Sequence, residues 1–141
     1  MRKLMVLLVV LTLNLAPSAV ALADKTFTNG DIKGSYAFSF QGEILGVGPA
    51  AASGMFKANG RGNITEAVRT ISFGGSVTQT FTCTLSVNPN GTGSAECPLD
   101  DPIPGFPAVE TFDFVLEDNA KGVRFVSTTP GFVVLGSGRK Q

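Results

Sequence analysis

Two cysteines and the residues between them constrain this chain more than any other feature. Val77, Gln79, Phe81, Cys83, Leu85 and Val87 alternate with Thr78, Thr80, Thr82, Thr84 and Ser86. This is the period of a strand with one largely apolar face and one hydroxyl-bearing face. Asn88-Pro89-Asn90-Gly91-Thr92 supplies turn chemistry, and Gly93 to Cys97 returns. With the turn centred on Asn90, Leu85 faces Ala95 and Cys83 faces Cys97. Directly opposed residues share a face and come within disulfide reach, so one register brings both sulfurs together on the apolar side.

A disulfide needs an oxidising compartment, and the first residues agree. Arg2 and Lys3 precede the apolar run from Leu4 to Leu15, and Ala21-Leu22-Ala23 has the small-x-small form of a cleavage site. Residues 1–23 read as a secretory signal peptide cleaved before Asp24, and 24–141 as a single β domain, secreted or periplasmic. The apolar run, interrupted by Thr12 and Asn14, is short for a membrane span, and no later segment approaches one. Basic and acidic side chains both number 11. Losing Arg2 and Lys3 leaves a mildly acidic domain with no electrostatic footprint for nucleic acid or an anionic membrane.

The chain has no His, which excludes Ser-His-Asp and Cys-His catalysis and His-based zinc chemistry. Trp is absent, Tyr36 is the sole tyrosine, and Phe numbers 11. That aromatic content speaks for core more than for recognition.

Alternation continues along the chain. Tyr36, Phe38 and Phe40 share one strand face; Ala52, Gly54 and Phe56 share another, where small inward residues suit a closed barrel. Strands are expected over 34–41, 50–57, 63–73, 77–87, 93–97, 109–117, 123–129 and 132–136, with Arg139-Lys140-Gln141 as a polar tail. The third has a poor period, with Glu66 on the face of Ile64 and Val68. No stretch shows a helical period. Short antiparallel connections suit a sandwich or a barrel, and the barrel is favoured because closing the first strand on the last removes exposed edges; the expectation is an all-β, up-and-down barrel of about eight strands. The turns at Asn59-Gly60, Asn90-Gly91 and Asp118 to Gly122 then share one end. The Gly42 to Pro49 and Pro98 to Pro107 loops share the other, and Ile44, Leu45, Val47, Phe73, Ile103 and Phe106 collect around its rim.

Several stretches carry a resemblance: Gly34-Ser35-Tyr36-Ala37-Phe38, Ala51 to Phe56 leading into Asn59-Gly60-Arg61-Gly62-Asn63, Phe81 to Gly93, Phe112 to Leu116, and Gly131 to Gln141. On these the chain resembles a group of small exported bacterial proteins of unknown function. More loosely it is similar to the calycin-like barrels, which include allene oxide cyclase and dirigent proteins. That resemblance implies a small up-and-down barrel. No functional residue of those proteins is matched position by position, so it implies no activity.

Candidate chemistry is sparse. Glu110 shares a face with Phe112 and Phe114, and a carboxyl in an apolar barrel acquires a raised pKa suited to acid-base work. The plainer expectation puts it at the solvated start of its strand, because unpaired charges are seldom buried. Glu66 and Arg69 fall on opposite strand faces and need not pair. Tyr36 reads as a core plug with a wet hydroxyl. The Thr78 to Thr84 ladder reads as an ordinary exposed strand face. Asp100, Asp101 and Asp118 lack metal-loop spacing, so neither metal nor cofactor is expected, and the disulfide is structural.

The resulting expectation is a non-catalytic module binding a small apolar ligand at the long-loop end, with Tyr36, Phe38, Phe40, Phe112, Phe114 and Glu110 lining the site. Ile44, Leu45, Val47, Ile103 and Phe106 would form its rim. The alternatives are a structural or interaction protein of the envelope or extracellular space and, behind it, a cyclase- or isomerase-like enzyme using Glu110 or Tyr36.

Overall fold

The computed structural model describes residues 24–141, and the signal-peptide reading lies outside them. Eight strands follow in sequence: β1 (Lys33–Ile44), β2 (Gly48–Asn59), β3 (Asn63–Ser72), β4 (Ser76–Val87), β5 (Thr92–Pro98), β6 (Val109–Glu117), β7 (Gly122–Ser127) and β8 (Phe132–Lys140). Each pairs antiparallel with the next, and β8 returns to β1, closing an up-and-down barrel. Closure leaves no sheet edge to pair with another chain.

The hairpin between the cysteines has the expected register: Leu85 opposes Ala95 and Thr84 opposes Glu96. Continuing it brings Cys83 and Cys97 to a Cα separation of 4.1 Å, and they are joined by a disulfide. Along β4 the residues alternate without a lapse from Thr78 outward and Gln79 inward to Leu85 inward and Ser86 outward.

Strand ends differ from expectation in two places. Gly42 to Pro49 is not a loop: β1 and β2 pair out to Ile44 and Gly48, leaving a tight turn over residues 45–47. Gly46 and Gly48 adopt φ of 80° and 126°, which let the chain reverse that sharply. Likewise Arg139 and Lys140 are not a tail; they complete β8, opposite Gly122 on β7 and Tyr36 on β1.

β3 holds the largest correction. Between Ile64 and Ala67 the strand advances three residues while β4 advances two, from Cys83 to Phe81. The same shift appears against β2. One extra residue at Thr65-Glu66 is a β-bulge, and a bulge reverses which face the following residues present. Beyond it Ala67, Arg69 and Ile71 point inward while Val68 points out, and Glu66 is exposed.

Inside the barrel, large side chains lie over small ones on the neighbouring strand. A Cβ at Gly93 would stand 2.3 Å from Phe114 Cζ, and one at Gly136 would stand 2.3 Å from Phe125 Cζ. Such glycines make room for a ring to lie across the backbone.

Candidate functional site

The interior divides into two apolar clusters. One, towards the tight turns, is built from Tyr36, Ile64, Phe81, Leu85, Phe114 and Leu116 among others. The second, towards the long loops, holds Phe40, Ile44, Ala52, Ile71 and Val134, with Phe73, Phe106 and Phe132 against it.

A polar layer crosses the barrel near the junction. Arg69, from β3, is 3% exposed and Glu110, from β6, is 5% exposed. The carboxylate accepts from Nη1 and Nη2 of Arg69 at 2.6 Å each, an end-on fork. Gln79 Oε1 accepts from Nε at 3.2 Å and Nη2 at 2.8 Å, and Gln79 Nε2 donates to the Asp101 carbonyl. Phe40 and Phe81 sit with ring centroids 5.6 and 5.5 Å from the guanidinium carbon. Each charge is thus paired and hydrogen-bonded, the condition on which an interior tolerates charges.

Glu110 is therefore not at a solvated strand start. Its partner was hidden because the bulge, not strict alternation, brings Arg69 indoors, and the two are 41 residues apart. The lapse of period at Thr65-Glu66 is the trace that this cluster leaves in the sequence.

On the tight-turn side of the layer lies a cavity of about 90 Å³. Tyr36, Phe38, Phe40, Phe112 and Phe114 all line it, with Ile32 and Arg69 at its boundary; Glu110 does not. Its wall is apolar throughout. Phe38 meets Phe81 and Phe125 edge-on, with interplanar angles of 79° and 67°, and Tyr36 stacks on Phe56 at 4.9 Å. The Tyr36 hydroxyl is not wet: it donates to the Ala120 carbonyl at 2.7 Å, away from the cavity. Burial pushes the phenol above its ordinary value. That bond also holds a turn in which Asp118, Asn119 and Ala120 all have positive φ, a conformation that costs non-glycine residues energy.

The long-loop end, expected to admit a ligand, is filled. Phe106, carried by the proline-rich loop, packs between Phe73 and Phe132, with centroids 5.5 and 6.1 Å away. Ile44 is buried, and Ile103 and Phe106 are half-buried; only Leu45 and Val47 of the expected rim are exposed. The pocket left among Ile44, Phe73, Ile103, Phe106 and Phe132 measures about 10 Å³, about the least that holds one water.

Two of the three Asp side chains weighed for metal are used otherwise. Asp100 accepts from the Thr80 hydroxyl, and Asp118 pairs with Arg139 at 3.3 Å. Among the described residues no cluster of three or more His, Cys, Asp or Glu could hold a metal ion, and no helix is long and apolar enough to cross a membrane.

Compared with family models, curated proteins and solved structures, the chain matches none. What stands is the architecture, a closed eight-stranded antiparallel barrel with aromatic clusters inside it.

Proposed function

We propose that the protein is an exported, non-catalytic barrel of the calycin-like kind that holds a small apolar molecule in the cavity of its tight-turn half. The supporting observation is the cavity: a ring-lined apolar space that the neighbouring side chains do not fill. At about 24 cal/mol per Å³ a void of this size costs on the order of 2 kcal/mol, a cost that a ligand would offset. Export follows in this reading from residues 1–23 acting as a signal, and the disulfide suits an oxidising compartment. A cyclase- or isomerase-like role is less supported, since the Tyr36 hydroxyl and the Glu110 carboxylate are both engaged away from the cavity.

The test is a titration of the 24–141 chain with xenon and short alkanes, followed by methyl NMR. Leu85, Leu116 and Val123, which line the cavity, should shift while Ile44, Ile71 and Val134 do not. Unmoved methyls with every probe would discard the reading.

A second reading, an interaction protein, has its own observation. Leu135 and Val133 on the outside of β8 are 65% and 63% exposed, and Val126 opposes Leu135 from β7. With Leu45 and Val47 at the adjoining turn they form the kind of apolar surface that marks contact sites. Sedimentation that stays monomeric to millimolar concentration, with no retention on envelope fractions, would count against it.

A further inference from the structure

We infer that the cavity is entered at the tight-turn end, beneath the N-terminal strap 25–32, and that its occupant is a molecule of a few carbon atoms without hydrogen-bonding groups. This rests on the cavity being a binding site, as proposed above.

The occupant's class follows from the wall. No polar atom faces the space: the Tyr36 hydroxyl is turned to Ala120, and the Arg69 guanidinium is bonded by Gln79 and Glu110 and flanked by Phe40 and Phe81. A ligand hydroxyl or carboxylate would lose its water and gain no partner. The volume, about 90 Å³, is below the roughly 150 Å³ of an engineered cavity that accommodates benzene. Short hydrocarbons fit; lipids and drug-sized ligands do not.

The route follows from what closes each end. Passage from the long loops would part the Phe73, Phe106 and Phe132 rings and then the buried Arg69–Glu110 pair, two obstacles in series. At the other end the cavity reaches Ile32, the residue that joins the strap to β1. Beside the packing of Ile32 and Phe27 on the apolar cluster, the strap's polar ties to the barrel are few. The Phe27 N–H donates to the Pro89 carbonyl at 2.9 Å, Asn29 Oδ1 accepts from the Val87 N–H at 2.9 Å, and the Phe27 ring lies against Gly91. The remaining polar contacts, Thr28 with Asp31 and Lys25 with Asp31, are internal to the strap and do not hold it down. Water can replace each of these hydrogen bonds once the strap lifts, leaving only the packing of Phe27 and Ile32 to be parted, whereas nothing replaces the partners of Arg69 in a dry interior.

Xenon is the probe, read by saturation-transfer NMR of exchange between dissolved and bound gas, in the 24–141 chain and two strap variants. Asn29→Ala should raise the exchange rate on the order of tenfold, the factor that losing one hydrogen-bonded anchor supplies. Phe27→Ala with Asn29→Ala should raise it further, leaving affinity within about twofold because neither residue lines the cavity. Phe106→Ala should leave the rate unchanged. The single Asn29 variant decides the matter if the double variant does not fold. Faster exchange in Phe106→Ala with none in the strap variants would overturn the route while leaving the site intact. Uptake of butanol or butyrate more tightly than butane would overturn the ligand class. Xenon entering none of the proteins would remove the site and the route together.

Discussion

The two ends of the barrel are closed by different physics. At the long-loop end closure is a matter of side chains: three Phe rings pack tilted and edge-on across the mouth, and an arginine and a glutamate lock beneath them. At the tight-turn end a short strap lies over the opening, seated by the Phe27 and Ile32 side chains and tied by a few peripheral hydrogen bonds. Buried charge pairs resist separation because neither partner has water to turn to; peripheral hydrogen bonds exchange with solvent at small net cost. One end is therefore a wall, and the other is a door by comparison. Loop length alone suggests the opposite assignment, because long loops are where binding residues commonly sit.

The comparison breaks most visibly at the wall. Glu110→Ala leaves the Arg69 guanidinium buried without its carboxylate and should destabilise the fold by about 3–5 kcal/mol in urea denaturation. Replacing both residues, Arg69→Met with Glu110→Leu, should recover most of that loss. A double variant no better than the single would show that the layer contributes more than mutual neutralisation.

Reducing the disulfide comes next. It closes a loop of sequence separation 14, for which chain entropy gives about 3 kcal/mol. Cys97 opposes Glu110 at the base of the proline-rich loop, so hydrogen exchange should rise first over residues 98–107 and only later at the Asn90 turn. Early exchange at Asn90 would mean that the disulfide supports the door instead of the wall.

The smallest effect belongs to the strap. The Thr28 N–H, and after it Lys25, hold the Asp31 carboxyl below its ordinary value of 3.8. A depressed acid contributes stability that is present above the unfolded value and lost as pH falls through the folded one. Acidification below 3.8 should therefore lower amide protection factors at residues 28–32, the turn that these contacts close, before any barrel strand responds. Simultaneous loss of strap and strands would show that the strap is not a separate unit.

Much of this molecule is legible in the sequence. Strict alternation from Val77 to Val87 fixes one face of β4, the Asn90 turn fixes its partner, and together they set the disulfide. The Gly-containing turns repeat often enough to dictate antiparallel neighbours, and avoiding exposed edges favours a barrel over a sandwich. The inward rings of Tyr36, Phe38, Phe40, Phe112 and Phe114 follow from period two alone. These are all local, because side-chain direction in a strand depends only on counting residues.

What only the tertiary structure decided begins where counting fails. A single extra residue at Thr65-Glu66 inverts the faces of β3 beyond it, so Arg69 turns indoors and Val68 out. Its partner arrives from three strands away, a pairing set by barrel closure and by no spacing in the chain. The cavity's position is likewise collective. Period two says that a Phe points inward, but where rings from different strands leave space depends on how each tilts over its neighbours, and that is a property of the packed interior.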